Sequence, residues 1–375
     1  MTALNDPTAP QTLLRAPRLR VLSGTTEIPG VISFRVDTNN QRQAGGYAVD
    51  ISTPPGSTFT TAWWGSQSSI RLTVQAAILA PGAAVSGAAW QTLIVGDADT
   101  VEADPITGIV RVMGRDLTAL LIDKKTADTY QNQTASQVAT LLAQGVGLTP
   151  VVTATTTLVG TYYQQDHTRT SLNQFSNATT EWDLLTYLAD QEQFDVFVQG
   201  TSLYFQPKTL PTAPPYELLY TPGTVATFNG KSLKLHRSMT LAKDIKVTVR
   251  SWSSKAKSSV TVTLRGSIAT NAGAVVGLGP PQTYVFVKPG LTHAQATVYA
   301  QQKLNELSKH ERVVSIDMPG ELTLTPRDMV SLSGTASNWD QVYYVDAISR
   351  SMSWTGFSET LRIKNHSPLD QAIVS

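Results

Sequence analysis

Five histidines, His167, His236, His293, His310 and His366, are the first residues to weigh for chemistry. A zinc site needs convergent ligands, and helical sites show themselves as His-x-Glu-x-x-His or a comparably close pair. None of the five has such a partner, so they read as solvated or helix-capping side chains. The chain has no Gly-x-Ser-x-Gly elbow and no Gly-x-x-x-x-Gly-Lys phosphate loop. It has no cysteine, which excludes a disulfide scaffold, a thiolate metal site and a thiol nucleophile. Two groups of carboxylates remain. Asp97, Asp99, Glu102 and Asp104 form a cluster, but Val101 stands where a calcium loop needs a ligand. On a regular strand Asp97 and Asp99 share one face, and Glu102 and Asp104 the other. Glu181 and Asp183 could mimic a glycosidase pair, yet their place in the first turn of a helix is explained by the helix dipole. No catalytic constellation, cofactor site or metal site is expected.

Aromatic doublets at Trp63-Trp64, Tyr162-Tyr163 and Tyr343-Tyr344 could stack on sugars. Neighbours on a strand face opposite ways, so one of each pair is expected in the core. Charge is the clearest non-local signal. From Lys231 to Arg265 nine Lys or Arg face Asp244 alone, whereas Leu93 to Asp195 holds thirteen Asp or Glu against five Lys or Arg. A chain of net charge +1 is thus divided along its length into opposite poles. Such a division can steer subunits into register. The residues expected at an assembly interface are Lys231, Lys234, Arg237, Lys243, Lys246 and Arg250. No aromatic interleaving or motif suggests a nucleic-acid patch.

The elements that must position these residues follow from periodicity. With 375 residues, 41% apolar and 15% charged, the chain is long enough for two or three cored domains, and it has neither the low hydrophobicity nor the high net charge of a disordered chain. Residues 1–17 carry three prolines and read as a flexible or docking tail. The start has no basic and apolar leader, and Ala76–Trp90, the most membrane-like stretch, is broken by Pro81 and Gly82, so no span is expected. Residues 18–115 alternate as strands and end in a hairpin turning at Asp104-Pro-Ile-Thr-Gly108. From 116 to 212 the period becomes helical. A capping box opens a helix at Thr134, Thr180-Glu-Trp-Asp183 opens a second, and a hairpin turns at Gly200. Residues 213–375 return to strands, with one helix at about 292–309 opened by Thr292-His-Ala-Gln295. Strand-like runs follow at Val313–Met318, Glu321–Thr325, Met329–Leu332 and Tyr343–Ile348. Both β regions close with a hairpin whose second arm follows a glycine, Gly108 or Gly356. Laying these glycines over one another leaves the apolar positions out of phase, so no repeat is visible.

Four stretches, in order, resemble the baseplate hub proteins of contractile-tailed phages, the Mu-like hub and late-control protein D group. Gly96 to Leu117 resembles the hub's first-barrel hairpin running into its inserted domain. Gln133 to Ala143 with Gly147-Leu-Thr149 is similar to that domain's helix. Trp182-Asp-Leu-Leu185, Phe194-Asp-Val-Phe197 and Leu203-Tyr-Phe205 resemble its helix and hairpin. Leu324 to Val330, Tyr344 to Ile348 and Gly356 to Leu361 are similar to the closing barrel. Pro326-Arg-Asp328 departs from the Pro-Gly-Asp common there, and no peptidoglycan-binding or lysozyme module is found.

The resemblance implies a mainly β, α+β fold. Two tail-tube-like β-barrel or sandwich domains would carry an inserted α+β domain. It implies a homotrimer without enzymatic activity, whose six β domains form a pseudo-sixfold ring in the virion's tail baseplate. The tail tube protein, the central spike protein and the baseplate wedge proteins would be its partners, with DNA crossing the lumen only in transit. The alternative expectation is a carbohydrate-binding or cell-wall-acting tail protein, resting on the aromatic doublets and the Glu181/Asp183 pair.

Overall fold

The computed structural model describes residues 15–365 apart from 54–55, 81, 127–129, 131, 157, 160–161, 164–167, 170–179, 209–212, 225, 239–244, 254–257, 267–281 and 289–290. The tail expected at 1–17 therefore lies outside the described residues up to 14, as do His167, Lys243 and His366.

The first unit is built from β1 (Ala16–Ser23), β2 (Thr26–Glu27), β3 (Val31–Asn39), β4 (Gly46–Ser52), α1 (Thr61–Ser66), β5 (Arg71–Leu79), β6 (Gln91–Asp104) and β7 (Ile109–Asp116). Alternation drives these strands: Val21, Phe34, Val36, Val49, Leu72, Val74, Val110 and Val112 point into one core. The β6–β7 turn forms where the sequence places it. The Asp104 carboxylate accepts from the amides of Ile106 and Thr107 at 2.8 and 3.3 Å, and Gly108 supplies φ +68°. Farther up the hairpin, Gly96 and Gly114 leave room for the buried Tyr47 ring. A Cβ on Gly114 would come within 2.8 Å of that ring.

An α+β unit follows. It comprises α2 (Ala119–Asp123), β8 (Gln133–Thr134), α3 (Ala135–Gly145), β9 (Thr149–Val152), the two-residue strands β10 (Leu158–Val159), β11 (Tyr162–Tyr163) and β12 (Thr168–Arg169), then α4 (Glu181–Glu192), β13 (Phe194–Gln199) and β14 (Ser202–Pro207). The expected capping box at Thr134 with Gln137 is present, and the helix start expected at Thr180 is closed by a further box with Asp183. The apolar stripes of α3 and α4 meet Val196, Leu203 and Phe205 of the sheet.

The chain then builds β15 (Tyr216–Thr221), β16 (Thr227–Phe228) and β17 (Ser232–Arg237). It leaves to form β18 (Ile245–Ser253), β19 (Ser258–Gly266), β20 (Gln282–Val287) and α5 (His293–Ser308), and returns as β21 (Arg312–Pro319), β22 (Met329–Ser333), β23 (Gln341–Ser353) and β24 (Gly356–Asn365). The stretch 213–375, read as one β unit carrying a helix, therefore contains two cores. Val314, Ile316, Leu332, Tyr343, Leu361 and Ile363 fill one, while Ile245, Val247 and Val249 pack on Ala296, Ala300 and Leu304 of α5 in the other.

Two local expectations fail. Glu321–Thr325 is not a strand, because its carbonyls are taken by a side chain: Arg350 donates to those of Glu321 and Leu324 at 3.0 and 2.6 Å. Trp63-Trp64 lies on α1, not on a strand. The burial split still follows, with Trp64 in the core and Trp63 packed edge-on against it at 4.9 Å.

The two β lobes share one sheet. The first runs β1-β5-β6-β7-β4-β3 and the second β15-β22-β23-β24-β21-β17. Taking each lobe's six strands in chain order, the neighbour order is the same, so the duplication that apolar phasing hides is present in the topology. One pairing differs in sense: β1–β5 is antiparallel and β15–β22 parallel. The lobes are joined by β3 pairing antiparallel with β23, Asn39 opposite Ala347 through Phe34 opposite Met352. Met352 and Leu322 from the second lobe are buried in the first lobe's core, and Phe357 meets Phe34 edge-on.

Because the seam is a shared core, the lobes should unfold together. Met352→Ala is expected to cost about 2–5 kcal/mol and to lower hydrogen-exchange protection in β7 and β24 alike. Loss confined to one lobe would show two independent units.

Candidate assembly surface

The seam between the lobes is polar as well as apolar. Arg350 on β23 donates from Nε to Glu359 Oε2 at 2.7 Å, and both side chains are almost wholly buried. Glu359 Oε2 also accepts from the Glu321 amide at 3.3 Å. Burial, only partly offset by Arg350, pushes the Glu359 carboxyl above the usual range. Arg15, at the start of the described chain, reaches the same cluster. Its Nη1 donates to the Gly320 carbonyl at 3.0 Å and its Nη2 to both Glu321 carboxylate oxygens at 3.1 and 3.2 Å. The β1 end is thereby tied to the second lobe.

The α+β unit docks over this seam. Arg42, in the β3–β4 connection with φ +55°, accepts from Trp182 Nε1 through its carbonyl at 2.7 Å and pairs with Asp190 at 2.8 Å. From the second lobe, Arg327 lies 3.2 Å from the centroid of Phe197, which stacks on Tyr204 at 4.8 Å. Burial lowers the Arg327 pKa to about 10. The residue that departs from Pro-Gly-Asp therefore fastens the second lobe to the α+β unit. A cleft of about 400 Å³ between the three is lined by Arg42, Trp182, Phe197, Tyr204, Arg327 and Arg350.

The expected basic interface residues fall on two separate bodies. Lys234 and Arg237 lie on β17, with Lys231 just before it; Lys246 and Arg250 lie on β18 of the small sheet. Arg237 pairs with Glu311 at 3.0 Å. Among the described residues Lys231, Lys234, Lys246 and Arg250 make no ion pair within the chain. On β18 the apolar residues face α5. The opposite face of the small sheet carries Lys246 and Arg250 with the exposed Trp252, Val285 and Val287.

The acidic stretch behaves differently. Asp97 pairs with Arg71, Asp99 and Asp123 both with Arg115, Glu181 with Lys124 and Asp190 with Arg42. Among the described residues, five of the pole's thirteen carboxylates are therefore held in ion pairs, two of them, Asp97 and Asp190, by arginines from outside the stretch. A β-bulge between Ala98 and Thr100 also resets the phase of β6, so Asp97 and Glu102, expected on opposite faces, both point to solvent while Ala98 and Val101 pack inward. The described residues hold no group of three His, Asp or Glu able to bind a metal. Glu181 is buried against Lys124 at 2.7 Å and Asp183 closes a capping box, so both carboxylates are engaged at the start of α4. The sequence missed Tyr47, Arg42 and Arg15. A buried aromatic opposite two glycines was readable in kind, but the reach of two arginines over such sequence distances was not.

No family model and no curated protein matches the chain. Solved structures do. The tail protein from Neisseria meningitidis MC58 matches with a TM-score of 0.65 at 14% identity, covering 93% of this chain and 96% of its own. The 43 kDa tail protein of prophage MuSo2 from Shewanella oneidensis gives 0.67 at 13%, covering 95% and 100%. Prophage tail protein gp18 from Listeria monocytogenes EGD-e gives 0.57 at 10%, covering 93% and 94%. The chain therefore has the mainly β, α+β fold of these proteins along nearly its whole length. No described helix is long and apolar enough to cross a membrane.

Two predictions follow from these contacts. Arg350→Ala leaves Glu359 buried without its counter-charge, and Glu359→Gln does the same to Arg350; each should cost about 3–5 kcal/mol, read from denaturant midpoints. Asp317 accepts from Ser232 and Thr360 at 2.6 and 2.8 Å, which holds its carboxyl below the ordinary 3.8. The stabilisation is complete above 3.8 and is lost as pH falls through the lower folded value. Asp317→Asn should therefore be less stable than the parent at pH 7, with the gap closing in acid; a gap independent of pH would contradict it.

Proposed function

We propose that the chain is a structural tail baseplate hub. Three copies would close a pseudo-sixfold ring between the tail tube and the central spike, bordered by baseplate wedge proteins, with a lumen that lets DNA pass. The observation that carries this reading is the repeated strand order. Two lobes of one topology, fused through β3 and β23 into one sheet, give a trimer six comparable β units. The fold shared with tail proteins of three bacterial or prophage sources supports it. The role is assembly without catalysis, in the virion, and the domain limits proposed are 18–115, 116–212 and 213–375.

The alternative, a carbohydrate-binding or cell-wall-acting tail protein, finds little support. Trp64 and Tyr343 are buried, and the Tyr162-Tyr163 side chains lie outside the described residues. The particle mass in solution tests the main reading: three times the chain mass of 40.4 kDa is expected, with a ring in micrographs and no clearing of peptidoglycan in a zymogram. A monomer that never enters tails would refute it.

A further inference from the structure

The seam within the chain is a template for a seam between chains. In the second lobe, β23 is longer than its local partner: β22 pairs with Gln341–Tyr344, and beyond that the same edge of β23 receives β3 of the first lobe. In the first lobe the counterpart of β23 is β6, and it is built the same way. The β5 ladder ends at Asp97, with one further hydrogen bond from Ala98, while β6 continues to Asp104. Among the described residues no strand pairs with that edge of residues 99–104, although β7 covers the other edge. The counterpart of β3 is β17. It pairs with β21 on one side, and among the described residues with no strand on the other. One chain therefore offers one vacant strand and one vacant berth, each matching half of a joint it already makes internally.

Direction and chemistry agree. Following the antiparallel pairings through the sheet, β17 runs with β3, and β6 runs with β23. A second copy placed by the internal relation would therefore bring β17 antiparallel to β6, as β3 is to β23. The solvent face of β17 carries Lys234 and His236, with Lys231 adjoining. The solvent face of the vacant part of β6 carries Thr100, Glu102 and Asp104. Lys234 and Glu102 make no ion pair within the chain among the described residues. The inner face of β17 also lacks cover. Leu235 is 39% exposed, whereas Phe34 and Val36 of β3, roofed by the β3–β23 joint, are 2% and 1% exposed. A lysine on a free edge can also serve to repel strands; an acidic strand with a matching free edge makes the same lysine a pairing residue.

We infer that β17 of one copy adds to residues 99–104 of β6 on the next, with Lys234 beside Glu102, and that three such joints close the ring. This rests on the trimeric reading above and names the surface that makes it.

The absence of cysteine makes the test direct. Lys234→Cys is combined in turn with Thr100→Cys, Glu102→Cys and Asp104→Cys in the full chain, with Lys234→Cys plus Glu27→Cys as control. Oxidation should give covalent dimers and trimers in one of the three pairs and not in the control. As a second measurement, Lys234→Glu should weaken the trimer, most at low salt, and adding Glu102→Lys should restore it. If sedimentation still shows a trimer while all three cysteine pairs stay uncrosslinked and Lys234→Glu changes nothing, the ring closes elsewhere and the inference fails alone. If the parent chain is a monomer at every concentration, the trimeric reading fails and takes this joint with it.

Discussion

The β3–β23 ladder is the constraint on which the rest of the structure depends. It turns two lobes with separate cores into one sheet, and it does so where β23 outruns β22. Backbone hydrogen bonds alone would let such a ladder slide by two residues. Met352 and Leu322 oppose this by packing into the first lobe's core. Arg350 fixes the same point from the polar side, because its guanidinium must reach Glu359 and the carbonyls of Glu321 and Leu324 together. Buried ion pairs are weak sources of stability, since desolvation offsets their attraction, and they serve better as devices that specify one arrangement. Here the buried pair sits at the only joint described between the two lobes' ladders.

Local chemistry was legible wherever the sequence carried it locally. The Asp104–Gly108 turn, the capping boxes at Thr134 and Thr292, the helix start at Thr180 and the strands around Val36, Val112 and Ile316 all follow from adjacent residues. What stayed hidden depends on distance or on phase. The bulge at Ala98/Thr100 moves Glu102 to the other face, and no composition signal marks it. Glu321–Thr325 alternates like a strand, but Arg350, 25 or more residues away, takes its carbonyls. The topological repeat is invisible for the same reason. Strand order survives when the apolar positions drift, because it depends on connections, and the long insertion between β17 and β21 replaces the short β3–β4 link.

Charge shows how misleading a linear count can be. The acidic stretch sends its carboxylates to arginines on adjoining strands and helices, so Asp97, Asp99 and Asp123 present less field than their number suggests. The basic stretch is divided by the fold into an edge strand and a separate small sheet. Cations elsewhere act as fasteners between units. Arg327 lies over Phe197, Lys288 over both Tyr187 and Tyr299, and Lys309 over Tyr344. A cation over a ring tolerates small shifts that a bidentate pair would not. The lobes are thus locked by the buried Arg350 pair, while the appended units add cation–ring contacts to the Arg42–Asp190 pair.

The sheet also has a polarity that the pairings alone determine. β3, β7, β17 and β24 run the same way, so Asn39, Asp116, Arg237 and Asn365 lie toward one end. The α+β unit springs from that end after β7, and the small sheet with α5 springs from it after β17. The opposite end carries the tight turns of the two closing hairpins, each with one large apolar side chain in water: Ile106 at 94% and Trp354 at 89% exposure. An isolated apolar tip is ordinary on a soluble protein. Two, at equivalent turns of duplicated lobes and at the same end of a common sheet, follow from the topology that repeats the lobes. The fold therefore sends both inserted units from one end and both closing hairpin tips from the other, and both lobes contribute to each.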